Sequence, residues 1–254
     1  MRQYTQRTVG GLQGPQVEPK GARSGTRRIR MVRSDARSAT FARTRCLERL
    51  AYMPRREVVD KSKFNSAADL PYQLRLADFE IAIQDVYDFF YDVNKLLVER
   101  GLRRLDDTLR PAAMSGIISD MLTASMAKHS RSLVENQHFN GHPDLIVQGK
   151  YPNNSVKSGP DGVEIKSTRK KGGAVDTHGA REQHMCVFVY ETDHKTEPAV
   201  DRRPMRITEV YLAHVTPADF RKNPRGDLGT RTATLDRNGI KKLRQNWIYI
   251  LDSQ

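Results

Sequence analysis

The chain has 254 residues, 37% of them hydrophobic, and a formal net charge of +13. That is enough for one large domain or two small ones, with a lean supply of core side chains. No apolar run approaches the ~20 residues of a membrane-crossing helix. The two cysteines, Cys46 and Cys186, are too few for a four-cysteine metal site or a disulfide framework. Free thiols suit a reducing compartment, so a cytoplasmic protein is expected.

The charge is unevenly spread. Residues 1–56 carry 14 basic and three acidic residues, a net of +11, whereas the rest of the chain nets only +2. Such asymmetry points to a polyanionic partner, most often nucleic acid. Residues 1–60 are rich in Gly, Arg, Ser, Thr and Gln and have no sustained periodicity. They cannot bury enough surface to offset ordering entropy, so a disordered basic arm is expected there. Residues 40–53 have the composition of a short helix that forms on binding. The start of the chain lacks the apolar stretch of a secretory signal; its Arg-rich, acid-poor character resembles a mitochondrial transit peptide.

Apolar residues at three- and four-residue spacing from Phe79 to Leu97 predict a helix over 77–100, capped by Asp78 and stopped by Gly101. A second helix is predicted from Pro111, a favoured first position, to about His129. The period then becomes strand-like. Strands are expected at 144–151 and 162–168, joined as a hairpin by the turn-rich residues 152–162, and then at 184–191 and 206–215. Thr216-Pro217 reads as a cap and a first helical residue. Residues 236–245 read as a short helix and 246–251 as a last strand, with Trp247, Tyr249 and Ile250 in the core. Helices and strands in this order argue for an α/β fold with a mixed sheet.

The chemistry concentrates in His142-Pro143-Asp144 and, twenty positions on, Glu164-Ile165-Lys166. Alternation along a strand puts Glu164 and Lys166 on one face and Ile165 on the other. A hairpin brings Asp144 beside Glu164. Two crowded carboxylates repel unless they share a cation. Hard oxygen ligands with open water positions suit Mg²⁺, which can bind a scissile phosphate and acidify a water. Lys166 would orient that water; as a general base it would need a depressed pKa.

These residues resemble the motif of the PD-(D/E)XK nuclease superfamily, which includes type II restriction endonucleases, junction resolvases and repair nucleases. The resemblance spans about residues 111–191. It implies a restriction-endonuclease-like core of α-βββ-αβ order, with a mixed sheet flanked by helices. On that reading residues 1–60 are the arm, 61–110 a helical segment and 111–254 the nuclease core. Asp144, Glu164 and Lys166 take the catalytic places, and Asp144 and Glu164 hold Mg²⁺. Many members add an acid from the preceding helix. Asp120 is the candidate, carried toward the sheet by the small residues Ala113, Gly116, Ala124 and Ala127; Glu135 is the substitute. The resemblance also implies a homodimer acting on double-stranded DNA. The helix at 77–100, rich in Phe and Tyr, is a dimerisation candidate, with burial inside the monomer as the simpler reading.

Arg169, Lys170 and Lys171 follow the second strand and are read as phosphate contacts. His178, Arg181 and Gln183 precede the third strand, where Arg and Gln can read base edges. His142 is read as a phosphate contact or a turn cap. The leading expectation is a Mg²⁺-dependent restriction-type DNA endonuclease. The alternatives are a structure-specific repair or junction nuclease, or a non-catalytic nucleic-acid-binding protein.

Overall fold

In a computed structural model, the residues described are 54–177, 179–222 and 232–251. Residues 54–60 of the expected disordered arm are described and packed on the core, with Val59 buried and its N–H donated to the Gln84 side chain; the rest of the arm, the helix expected within 40–53 and His178 lie outside the described residues. Contacts divide the chain into a unit of residues 1–42, outside the described residues, and a unit of residues 43–254. The second unit takes in both the helical segment and the segment expected to be the nuclease core. They share one hydrophobic cluster and do not form separate domains.

Helix α1 (Leu76–Glu99) buries Phe79, Ala82, Ile83, Val86, Tyr87 and Phe90 along one stripe. Its apolar face is thus consumed inside the monomer, and only Ile81 and Leu96 remain as large exposed apolar side chains. Gly101 ends it at φ +74°, a left-handed conformation that glycine adopts without strain. Asp78 is not the cap residue. It lies inside the first turn, fully buried, and its carboxylate accepts the backbone N–H of Arg75 at 2.8 Å. A short helix, α2 (Leu105–Thr108), leads to α3 (Pro111–His129), which starts on the expected proline.

Six strands form the main sheet: β1 (Leu133–Glu135), β2 (Leu145–Val147), β3 (Gly162–Thr168), β5 (Gln183–Glu191), β6 (Arg206–Val215) and β9 (Trp247–Ile250), in spatial order β1-β2-β3-β5-β6-β9. Only β3 and β5 run parallel; the other neighbours are antiparallel. The sheet is therefore mixed, as expected. The strand expected over 144–151 stops at Val147, because the chain turns at Gly149 (φ +73°). The hairpin forms, with Leu145 opposite Val163 and Ile146 opposite Gly162. Gly162 permits it, since a Cβ there would run into the Leu145 carbonyl. Strand β1 has three residues, too few to show a period.

α1 and α3 cover one face of the sheet, over Ile165, Cys186, Phe188 and Leu212. The other face, over Met185, Val187 and Tyr211, is covered by a small sheet and a last helix. That small sheet has the order β4-β8-β7, from β4 (Asp176–Thr177), β7 (Phe220–Lys222) and β8 (Ala233–Leu235). The helix is α4 (Arg237–Gln245), capped by the Asp236 carboxylate on the N–H groups of Asn238 and Gly239. Within the last strand Ile248 and Tyr249 are buried, while Trp247 and Ile250 are partly covered. No helix among the described residues is long and apolar enough to cross a membrane.

Thr216-Pro217 opens a single 3₁₀ turn, Pro217–Asp219, rather than an α-helix. Asp219 is the reason. Its carboxylate takes the N–H of Thr216 at 2.8 Å and the Lys242 ammonium at 2.6 Å, tying β7 to α4. Burial works against its ionisation, but these partners outweigh it and hold its carboxyl below the usual range. A depressed folded-state pKa contributes stability above the unfolded value and loses it as pH falls through the folded value. Asp219→Asn should therefore lower stability by about 2 kcal/mol at neutral pH. The gap between variant and parent should shrink below about pH 4, the ordinary aspartate value. Urea melts across pH check both points; a pH-independent gap would remove the electrostatic explanation.

Candidate active site

Strand β3 pairs with β5 so that Glu164 lies beside Met185 and Lys166 beside Val187. Met185 and Val187 face the small sheet. Glu164 and Lys166 share that side, and Ile165 enters the cluster under α1 and α3, as alternation requires. The hairpin then delivers Asp144 at the beginning of β2. Its Oδ2 accepts the backbone N–H of Ile165 at 2.8 Å, which fixes the carboxylate across the strand pair.

Three oxygens converge on the Lys166 ammonium. Glu164 Oε1 lies 2.6 Å from Nζ, the Ile165 carbonyl 3.1 Å and Asp144 Oδ2 3.6 Å. Glu164 is 2% exposed, so its charge requires compensation. His142 provides a second partner, with Nδ1 3.3 Å from each Glu164 oxygen. Burial pushes the Glu164 carboxyl up, but His142 and Lys166 override it and bring it down to about 2. Asp144 moves the other way, raised by burial and by the charge of Glu164. Burial opposes protonation of Lys166, yet the two carboxylates dominate and hold it above the ordinary lysine range. The shift is opposite to the depression that a general base would need.

The other predicted residues are distributed more widely. His142 points at Glu164 rather than outward as a phosphate contact. Asp120 borders a cleft of about 390 Å³ with Asp144 and Glu135. The small residues around it do not draw α3 onto the sheet. Ala113, Gly116 and Ala124 are exposed, and nothing lies within 4 Å of a Cβ built on Gly116. The buried face of α3 is instead Met114, Ile118, Leu122 and Met126. Among the described residues no group of three or more His, Cys, Asp or Glu is gathered to hold a metal.

The three cations after β3 diverge. Arg169 lines a cleft with Glu191, Asp193 and Arg203, Lys170 lines the cavity beside α4, and Lys171 is exposed. Gly172 and Gly173 turn the loop in left-handed conformations, φ +80° and +78°, and Gly172 N–H binds Glu209 at 2.7 Å. The glycines thus shape the loop's return to the sheet. Gln183 is 3% exposed, which keeps it from reading a base edge. It lies two residues before Met185 and so shares the Glu164 face. Arg181 is partly exposed.

Two supports had no sequence signal. Asn136 donates to the Pro143 and Val156 carbonyls at 3.0 and 2.8 Å and accepts from Val156 N–H at 3.0 Å, stapling the loops before β2 and β3. Tyr72 Oη accepts from Gly162 N–H at 3.1 Å, holding the start of β3. Phe139, on the loop before Pro143, is 87% exposed beside the Asp144 cleft.

The chain matches no family model, no curated protein and no solved structure. The residues themselves must decide what the site can hold. Two carboxylates and a backbone carbonyl around one cation form a hard-oxygen cradle, a donor set that fits Mg²⁺. In the fold described, the Lys166 ammonium fills that cradle. Lys166→Met should then destabilise the protein by about 3 kcal/mol in EDTA, because Glu164 loses its buried partner. Added MgCl₂ should restore part of the lost Tm in the variant and should also raise the Tm of the parent, where the ion moves the ammonium aside. A variant whose Tm ignores Mg²⁺ would show that the cradle does not take the ion.

Proposed function

We propose that the chain is a metal-dependent endonuclease that hydrolyses phosphodiester bonds in double-stranded DNA, with restriction-type cleavage as the leading reading. The observation that carries it is the convergence of Asp144, Glu164 and the Ile165 carbonyl on one cation position, on two adjacent strands. The surrounding order adds support. A helix, an antiparallel β1-β2-β3 meander and a parallel β5 follow one another as the resemblance to PD-(D/E)XK nucleases implies. The departure is the crossover from β3 to β5, which carries the short strand β4 and, among its described residues, no helix.

Asp144 and Glu164 would hold Mg²⁺, which supplies charge neutralisation at the scissile phosphate and an acidified water. Every other role belongs to the chain. The Ile165 N–H orients the Asp144 carboxylate. His142 orients Glu164 and keeps it ionised. Lys166 orients the attacking water and offsets charge on the pentavalent phosphate. The cleft beside Asp144, bordered by the bare flank of α3, leaves room for a backbone to approach. A homodimer would present two such sites to the two strands of a duplex.

One observation favours a second reading. With two acidic side chains rather than three at the cradle, a non-catalytic nucleic-acid-binding protein would carry the same Lys166–Glu164 pair as a structural feature. Plasmid cleavage separates the two. In MgCl₂ the parent should nick or linearise supercoiled plasmid, and EDTA should stop it. Asp144→Asn, Glu164→Gln and Lys166→Met should each slow cleavage by about 10²-fold or more, the scale of losing one electrostatic contact to a transition state. Parent-like cleavage by both the Asp144 and Lys166 variants would misassign the site. A parent that binds plasmid but never cuts it would establish the binder. Cleavage confined to branched DNA would point to a junction or repair enzyme.

A further inference from the structure

An open cleft of about 810 Å³ lies between α4 and the small sheet, away from the cradle. Five cations line it: Lys170, Arg221, Arg237, Lys241 and Arg244. Arg237, Lys241 and Arg244 stand at i, i+4 and i+7 of α4, so they share one face of the helix. They extend along it for about 10 Å at 1.5 Å per residue. The same helix buries Gly239 and Leu243 on its opposite side.

The nearby acids do not neutralise this face. Among the described residues, no ion pair joins Arg221, Arg237, Lys241 or Arg244 to a carboxylate. The Asp236 carboxylate in the cleft caps α4, at 2.7 Å from Asn238 N and 3.0 Å from Gly239 N. Asp176 accepts from the Thr234 hydroxyl and lies 4.0 Å from Lys170. Asp219 holds Lys242, the neighbouring lysine, at 2.6 Å. Uncompensated like charges in one cleft repel one another and raise the local affinity for anions.

We infer that this cleft is a second nucleic-acid contact, which grips the phosphate backbone of a duplex beyond the catalytic edge. The inference rests on the proposed function for the identity of the polymer. The length of the cationic row favours a polymer over a single phosphate. A strand of duplex places one phosphate per ~3.4 Å of axis, so the α4 row alone spans about three. Continuity with the cradle comes from Lys170, four residues after Lys166 on the same strand and loop. This accessory surface would give residues 57–254, which net only +2, a local positive charge with which to hold a polyanion.

Lysine acetylation of the full-length parent in EDTA, with and without a short DNA duplex, tests the inference where it is made. The duplex should protect Lys170 and Lys241 and leave Lys95, on α1, unchanged. Arg237→Gln/Lys241→Gln/Arg244→Gln should reduce the slope of log K against log salt by about three, one for each phosphate contact removed. Equal labelling of Lys241 with and without duplex overturns the inference, as does an unchanged slope in a variant with parental Tm. Protection by inorganic phosphate or a mononucleotide at equal phosphate concentration overturns it in favour of a small-anion site. Protection by anionic vesicles but not by duplex overturns it in favour of a membrane surface. Protection by duplex in a protein that never cuts plasmid leaves the contact standing and removes the nuclease reading instead.

Discussion

A carboxylate at 2% exposure on the middle of a sheet is the constraint on which the rest depends. Glu164 lies in β3, whose two neighbours in the main sheet are β2 and β5. An ion there is costly unless paired and hydrogen-bonded. The chain meets that demand from two directions. Lys166 comes from the same strand and His142 from the loop before β2, while the like charge of Asp144 is held alongside by the Ile165 N–H. The approach of His142 and Asp144 requires the hairpin to close in one register. A slip of one residue would turn Glu164 and Lys166 into the apolar layer under α1 and α3.

The two faces of the sheet have different duties. The α1–α3 face is an ordinary apolar layer, in which Phe79, Ile118, Ile165 and Phe188 are fully buried. The opposite face is divided between a smaller apolar cluster and the ionic cradle. The small sheet and α4 cover the apolar part and are anchored by Asp219. In doing so they present a row of cations that, among the described residues, pairs with no carboxylate. That positive charge is a product of local placement, because residues 57–254 net only +2.

Much of this was legible in the residues. The two long helices, the β2–β3 hairpin, strands β5 and β6 and the last helix and strand follow from spacing of 3.6 or 2 and from proline and glycine punctuation. Alternation alone placed Glu164 and Lys166 together. Other features were illegible for identifiable reasons. Strand β1 is too short to show a period. Asp78 reaches back to the Arg75 N–H from inside the helix, where sequence spacing suggested a cap. The Ala113–Gly116–Ala124–Ala127 stripe looked like a packing seam, but only Ala127 packs against the core and the other three lie on an exposed flank. Gln183 looked available to a base, yet it is 3% exposed.

By itself the sequence determined the local propensities, the mixed α/β character and the pairing of an acid and a lysine on one strand face, since each depends on neighbours a few positions apart. Only the tertiary structure decided which cation compensates Glu164, that Lys166 is held protonated and that Asp120 borders the Asp144 cleft without completing a three-acid set. It also decided that Arg169 and Lys170 part into separate clefts while Arg221 joins the α4 row. Those outcomes depend on which distant segments meet and how much water they exclude. Burial and pairing set the charge state of a group, and neither can be read from its neighbours in sequence.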